Sequence, residues 1–222
     1  MAGVSPQDLT RATELTLFAP DASQTDVQKL CTVARDHRVF AVCLNSSRVE
    51  LARTLLDDTI VRVVALAGFP LGAADSDAKR YETEIAVDLG AHEIDFVLNI
   101  GRLKDGDSNY VLREMRDIVE SADERPVKVV LESHLLTLEE KTLACKLAQD
   151  SGVQFVSAST VFHSPATTPE EVKLLRELVG PQIAVKASCE TQDISIATSL
   201  LDAGATRIGS ICGLAVPIRP KS

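Results

Sequence analysis

Two lysines and two carboxylates occupy positions from which strand alternation would turn them all toward one space. In Val127-Lys128-Val129-Val130-Leu131-Glu132 the apolar Val127, Val129 and Leu131 suit a helix-facing layer, which turns Lys128 and Glu132 to the other face. By the same alternation Ile94 and Phe96 face out with Asp95 and Asn99 in, and Val185 faces out with Lys186 and Ser188 in. Burying such groups costs on the order of several kcal/mol unless they pair. One reading is a structural ion-pair network that fills an interior. The other is a reactive site, in which a lysine beside a second cation loses basicity and becomes a nucleophilic amine near neutral pH. Lys128, Asp95 and Lys186 are the residues that could do this.

Short apolar runs that alternate with longer amphipathic stretches supply the framework. The strand-like runs are Glu14 to Phe18, Val39 to Leu44, Val61 to Ala67, Glu93 to Leu98, Val127 to Glu132, Gln154 to Ser157, Ile183 to Ala187 and Thr206 to Gly209. Between them the spacing predicts helices over Thr25 to Arg38, Asp75 to Leu89, Thr137 to Ser151, Pro169 to Leu178 and Thr191 to Ala203. Thr137 with Glu140 reads as a capping box, and Thr168 precedes a first-turn Pro169. Gly90, Gly152, Gly180 and Gly204 mark helix ends. Eight strand and helix pairs without a linker predict one (β/α)8 barrel over residues 1–222, although an open doubly wound sheet has a similar period. In a barrel, reactive groups gather at the carboxyl ends of the strands.

Composition narrows the partners. The 222 residues carry a net charge of −9, with Lys and Arg scattered, which argues against nucleic acid and anionic membranes. Cys31, Cys43, Cys145, Cys189 and Cys212 are odd in number and lack CxxC spacing, so reduced thiols are expected rather than disulfides or zinc. No basic-then-apolar leader and no apolar run near the roughly 20 residues of a membrane helix are present, so the expected location is the cytoplasm. His134 and His163 fall just past strand ends, either as a general base or as polar loop residues. With no HxH or HExxH spacing, neither a metal nor a cofactor is expected. Cys189 reads either as a nucleophile at a helix start or as a small apolar filler.

Six segments together resemble the class I deoxyribose-phosphate aldolases. They are Ala41-Val-Cys-Leu-Asn45, Gly68-Phe-Pro-Leu-Gly72, His92-Glu-Ile-Asp-Phe-Val-Leu-Asn-Ile-Gly101, Lys128-Val-Val-Leu-Glu-Ser-His-Leu-Leu-Thr137, Val185-Lys-Ala-Ser188 and Ala203-Gly-Ala-Thr-Arg-Ile-Gly209. The resemblance implies a TIM barrel, a small aldehyde or sugar substrate, cleavage through a lysine imine, and a possible homo-oligomer. Lys186 matches the family's second lysine and Asp95 the carboxylate of its proton relay. Lys128, Cys43 and Thr16 fall on pocket positions; Lys186, Asp95, Lys128 and Ser157 form the expected catalytic set, and Thr16, Cys43, Asn99, Ser159, Ser188 and Gly209 the expected binding set. Glu14 stands where the family has a shorter aspartate.

The chain departs from the pattern in two places. The family's sixth strand reads roughly Phe-Val-Lys-Thr-Ser-Thr-Gly, whereas here it is Phe155-Val156-Ser157-Ala158-Ser159-Thr160-Val161, and Ser157 cannot form an imine. The Gly-Gly pair that admits a phosphate is Cys189-Glu190, and Val161 replaces another glycine of that cradle. Phosphorylated sugars are therefore expected to bind poorly, because two added Cβ atoms crowd the approach and Glu190 repels an anion. Three functional readings follow. One is an aldolase-type lyase of altered substrate or impaired activity, with Lys186 as the remaining amine. Another is a silent barrel serving as a partner or regulator, and the third is acid–base chemistry by Asp95, Glu132 or His163.

Overall fold

Alternating side chains in short β-branched runs, each followed by a capped amphipathic helix, produce a closed parallel barrel. The computed structural model describes residues 5–162, 165–189 and 193–210. Its strands are β1 Thr13–Leu17, β2 Ala41–Asn45, β3 Arg62–Ala67, β4 Glu93–Val97, β5 Val127–Val130, β6 Phe155–Ser157, β7 Ala184–Cys189 and β8 Arg207–Ser210. Each pairs in parallel with the next and β8 closes on β1, as the barrel reading requires and an open sheet does not. Strand boundaries lie within two residues of the expected runs.

The helices are α1 Pro6–Ala12, α2 Gln24–His37, α3 Val49–Leu56, α4 Ser76–Asp88, α5 Ile100–Lys104, α6 Ser108–Ser121, α7 Leu138–Ser151, α8 Pro169–Val179 and α9 Ile194–Asp202. Among the described residues, α1 precedes the barrel and a pair, α5 and α6, follows β4; the segment after β8 lies outside them. The expected caps form. Thr137 Oγ1 accepts the Glu140 N–H at 3.2 Å while Glu140 accepts the Thr137 N–H at 2.9 Å. Thr168 caps α8 ahead of Pro169. No described helix is long and apolar enough to cross a membrane.

Outward residues such as Val42, Leu44, Val63, Ile94, Phe96, Val129 and Val185 pack with Val27, Ala52, Met115, Ala148 and Leu175 of the helices into one core. Inward, Ala41, Cys43, Val64 and Leu66 form a second apolar cluster on β2 and β3. Burial on both faces is why parallel strands read as near-continuous apolar runs. Cys31, Cys43, Cys145 and Cys189 are buried and form no disulfide among the described residues, and Cys212 lies outside them.

The Gly68-Phe-Pro-Leu-Gly72 turn after β3 has a packing reason for its glycines. Gly68 donates its N–H to Glu82 Oε2 at 2.8 Å, and Gly72 donates to the Gly68 carbonyl at 2.8 Å. Gly72 has φ +67°, and a Cβ there would lie 2.1 Å from the Leu98 carbonyl oxygen at the end of β4. Gly72→Ala is therefore expected to destabilise the fold by at least about 2 kcal/mol, through left-handed strain together with a backbone clash. Urea unfolding that shows a loss below about 0.5 kcal/mol would contradict this packing.

Candidate active site

Alternation along the strands and the barrel's register carry Asp95, Lys128 and Lys186 into one buried cluster. Asp95 is the register partner of Lys128, and Lys186 that of Ser157. Lys128 Nζ lies 2.7 Å from Asp95 Oδ1, and Lys186 Nζ lies 2.6 Å from Asp95 Oδ2. Lys186 also donates to Glu14 Oε2, which arrives from β1 across the barrel seam. Glu93, two residues before Asp95 on β4, holds Lys128 at 2.7 Å. Arg207 of β8 reaches Glu14 at 3.3 Å with its guanidinium 3.3 Å from the Phe40 ring centre. The interior thus pairs three carboxylates with three cations. Glu93 and Arg207 were missed, although the same two-residue period that turns Asp95 and Gly209 inward would have found both.

This arrangement overturns the expectation of a basicity-lowered amine. Burial pushes the Lys186 ammonium toward deprotonation, but Asp95 and Glu14 more than offset it and raise its pKa well above the usual lysine value. For Lys128 burial is likewise outweighed, by Asp95, Glu14 and Glu93. Burial raises the Asp95 carboxyl, and the two lysines reverse that and hold it below the usual aspartate value. Both amines are therefore ammonium ions near neutral pH, without a lone pair to attack a carbonyl. Like charge between Lys128 and Lys186 is the effect that sequence suggested; three carboxylates exceed it.

Above this layer the side chains are smaller. Ser157 closes β6 fully buried, and its Oγ has no hydrogen-bond partner among the described residues. Thr16 Oγ1 on β1 is likewise buried and unpartnered. Cys43 of β2 brings its thiol within 4.8 Å of ligand oxygens of Glu14 and Asp95, but the ammonium of Lys186 already bonds both carboxylates in place of a cation. Burial pushes that thiol's pKa far up. A Cβ at Gly209 would lie 3.2 Å from Lys186 Cε and 3.0 Å from Ser188 Oγ, so this glycine makes room for the lysine. Phe18, Phe69 and Phe162, from the ends of β1, β3 and β6, stack with ring centres 4.8 and 5.3 Å apart and form an apolar ceiling that sequence did not suggest.

Other expected members stand elsewhere. Asn99 accepts the Arg102 N–H at 3.2 Å as the cap of α5, because β4 ends at Val97 and the alternation stops. Glu132 has left-handed backbone at φ 47° beyond the end of β5, so its carboxylate turns sideways to the Thr160 N–H and lies 3.5 Å from His134. Ser159 donates to the Pro165 carbonyl at 3.0 Å and organises the loop after β6. Ser188 accepts the Thr167 N–H on its carbonyl at 2.9 Å and donates its own N–H to Thr167 Oγ1 at 3.0 Å. Cys189 belongs to the helix-facing core, so its Cβ does not crowd the barrel mouth and the filler reading holds. Val161 has φ +57°, a conformation suited to the glycine it replaces and costly for a β-branched residue. His163 and Glu190 lie outside the described residues.

The pKa shifts set a pH window. Asp95, held below its unfolded value, contributes fully above about pH 4 and loses this contribution as pH falls through its folded value. Lys186, held above its unfolded value, contributes fully below about pH 10 and loses this contribution as pH rises through its folded value. Lys186→Met is expected to cost about 3–5 kcal/mol in urea unfolding at pH 7, by taking the partner from Glu14 Oε2 and Asp95 Oδ2 and leaving the interior one cation short. Adding Glu14→Gln should cost less than the sum of the single losses; strict additivity would show that the pair is not coupled.

The chain matches the DeoC/LacD family aldolase model over residues 7–216. It is 43% identical over 211 residues to a deoxyribose-phosphate aldolase of Clostridium perfringens, covering 95% of this chain and 94% of that one. The figure is 43% over 208 residues for that of Bdellovibrio bacteriovorus, covering 94% of each. Among solved structures, the aldolase QR15 superposes with a TM-score of 0.89 at 31% identity over 93% of this chain and 92% of that one. A tetrameric deoxyribose phosphate aldolase from Aeropyrum pernix gives 0.87 at 29% over 94% and 88%. A match along nearly the whole chain, on a barrel of the same closure, places this protein in the DeoC/LacD aldolase family.

Proposed function

We propose that the chain is a carbon–carbon lyase of the aldolase type for a small aldehyde or hydroxyaldehyde, with the imine route impaired because Ser157 stands where the family resemblance implies the reacting lysine. The observation that carries this reading is the balanced interior: both buried amines are held as ammonium ions beneath an unpartnered Ser157 hydroxyl. Ser157 and the Lys186 ammonium can donate hydrogen bonds to a carbonyl oxygen and stabilise the enolate left by carbon–carbon cleavage. Neither supplies the covalent electron sink of an imine. The same balance favours a silent barrel as the second reading, since a charge network of this kind stabilises the fold whether or not it acts on a substrate. Phosphorylated substrates are disfavoured by Glu190 in the segment after β7.

A lysine at position 157 would place a fourth cation among three carboxylates, and one amine would then lose its proton. Ser157→Lys is therefore expected to raise deoxyribose-phosphate cleavage at least about 100-fold, equivalent to about 2.7 kcal/mol of barrier. Borohydride with acetaldehyde should label that lysine. Wild-type turnover equal to that of the Clostridium perfringens relative, and insensitive to Lys186→Ala, would refute the impaired route. Substrate binding without turnover in either form would favour the silent barrel.

A further inference from the structure

At the opposite end of the barrel, the segments that enter β3, β4 and β5 surround a cavity of about 490 Å³. Its charged and titratable walls are Arg53, Arg62, Arg125 and His92, with no carboxylate among the lining residues, in a chain with 32 acidic residues against 23 basic ones. We propose that this amino-terminal face is a second site, which binds a small phosphate-bearing molecule through the three guanidinium groups and the His92 imidazole.

The arginines are incompletely neutralised by the protein. Arg53 meets Asp57 at 3.5 Å and Arg125 meets Asp123 at 3.0 Å, but those aspartates are 81% and 78% exposed and screened by water. Arg62 lies 3.7 Å from Glu93, whose other oxygen is on Lys128 at 2.7 Å. Arg125 spends Nε on the Ala91 carbonyl at 2.9 Å, which fixes its plane and leaves Nη2 free among the described residues. A planar fork with spare donors matches phosphate oxygens.

Two neighbours shape the site around these forks. Gly90 ends α4 with φ +92°, and a Cβ there would lie 3.2 Å from Arg53 Cγ and Nε, so the glycine lets the Arg53 stem lie across it. His92 Nδ1 accepts the Val63 N–H at 2.9 Å, which leaves the proton of the neutral ring on Nε2 as a donor. Burial and then the charges of Arg53, Arg62 and Arg125 hold the His92 pKa down. The volume falls within the roughly 300–1,000 Å³ of ligand pockets and exceeds what a bare phosphate fills. Ile60, 77% exposed at the rim, offers an apolar wall for an organic remainder.

The test is histidine-selective NMR at constant ionic strength, with inorganic phosphate, glycerol 1-phosphate and chloride as separate titrants. His37, His92, His134 and His163 are the reporters. Saturable shifts confined to His92 are expected with both phosphates and not with chloride, the ester binding at least as tightly. Equal affinities would support the site with free phosphate as a sufficient ligand. Arg53→Gln with Arg125→Gln should weaken binding at least about tenfold, as should Ile60→Glu, an exposed change that leaves the fold intact. A shift that does not saturate, that chloride reproduces, that falls on His134 or His163 instead, or that survives Ile60→Glu and the double arginine change would overturn the proposal.

Discussion

Neutralising charge inside a barrel is the constraint on which this structure depends. Glu14, Glu93 and Asp95 face Lys128, Lys186 and Arg207 in a space largely withdrawn from water, where an unpaired ion would cost on the order of several kcal/mol. The six ions come from five strands, and the pairs span long stretches of chain: Asp95 and Lys128 are 33 residues apart, Asp95 and Lys186 are 91, and Glu14 and Lys186 are 172. The charges can therefore be satisfied only when β1 meets β8 and the barrel is closed. An open sheet would leave Glu14 and Lys186 without each other.

The same constraint divides the interior. The polar half comes from β1, β4, β5, β7 and β8, and the apolar half from Ala41, Cys43, Val64 and Leu66 on β2 and β3 under the three phenyl rings. Hydroxyls of Thr16 and Ser157 remain unpaired in the layer above the ions. Such atoms are uncommon in buried positions and mark the place where a polar ligand gains most from binding. Here those polar donors stand against an apolar wall.

Most of the fold was legible from sequence because burial on both faces of each strand and a cap at most helices point the same way. Eight strands and the capped helices stand where alternation and the Thr137, Thr168 and glycine signals put them. The site was legible only while the strands lasted. Parity placed Asp95, Lys128 and Lys186 correctly, yet failed at Asn99 and Glu132, where the backbone leaves the strand and a helix cap or a left-handed residue redirects the side chain. Protonation was not legible at all. It depends on the total of nearby charges, and Glu93 and Arg207 enter that total from strand starts, inside segments whose other residues drew the reading.

The resemblance makes Glu14 and Ser157 separate departures from a family pattern; the geometry makes them one. Glu14 is long enough to bond Lys186 with Oε2 while Oε1 lies 3.3 Å from Arg207 and 3.5 Å from Lys128, a reach that an aspartate one methylene shorter would not have. It thus shares its charge among Lys186, Arg207 and Lys128. A lysine at 157 would require the opposite, an excess of positive charge that drives one amine to give up its proton. With serine there, that excess is absent, the count is three against three, and Lys186 is free to serve as a permanent cation. Stability and imine chemistry draw on the same charges in opposite directions: a balanced count holds each ion in place, whereas an excess of cations frees an amine.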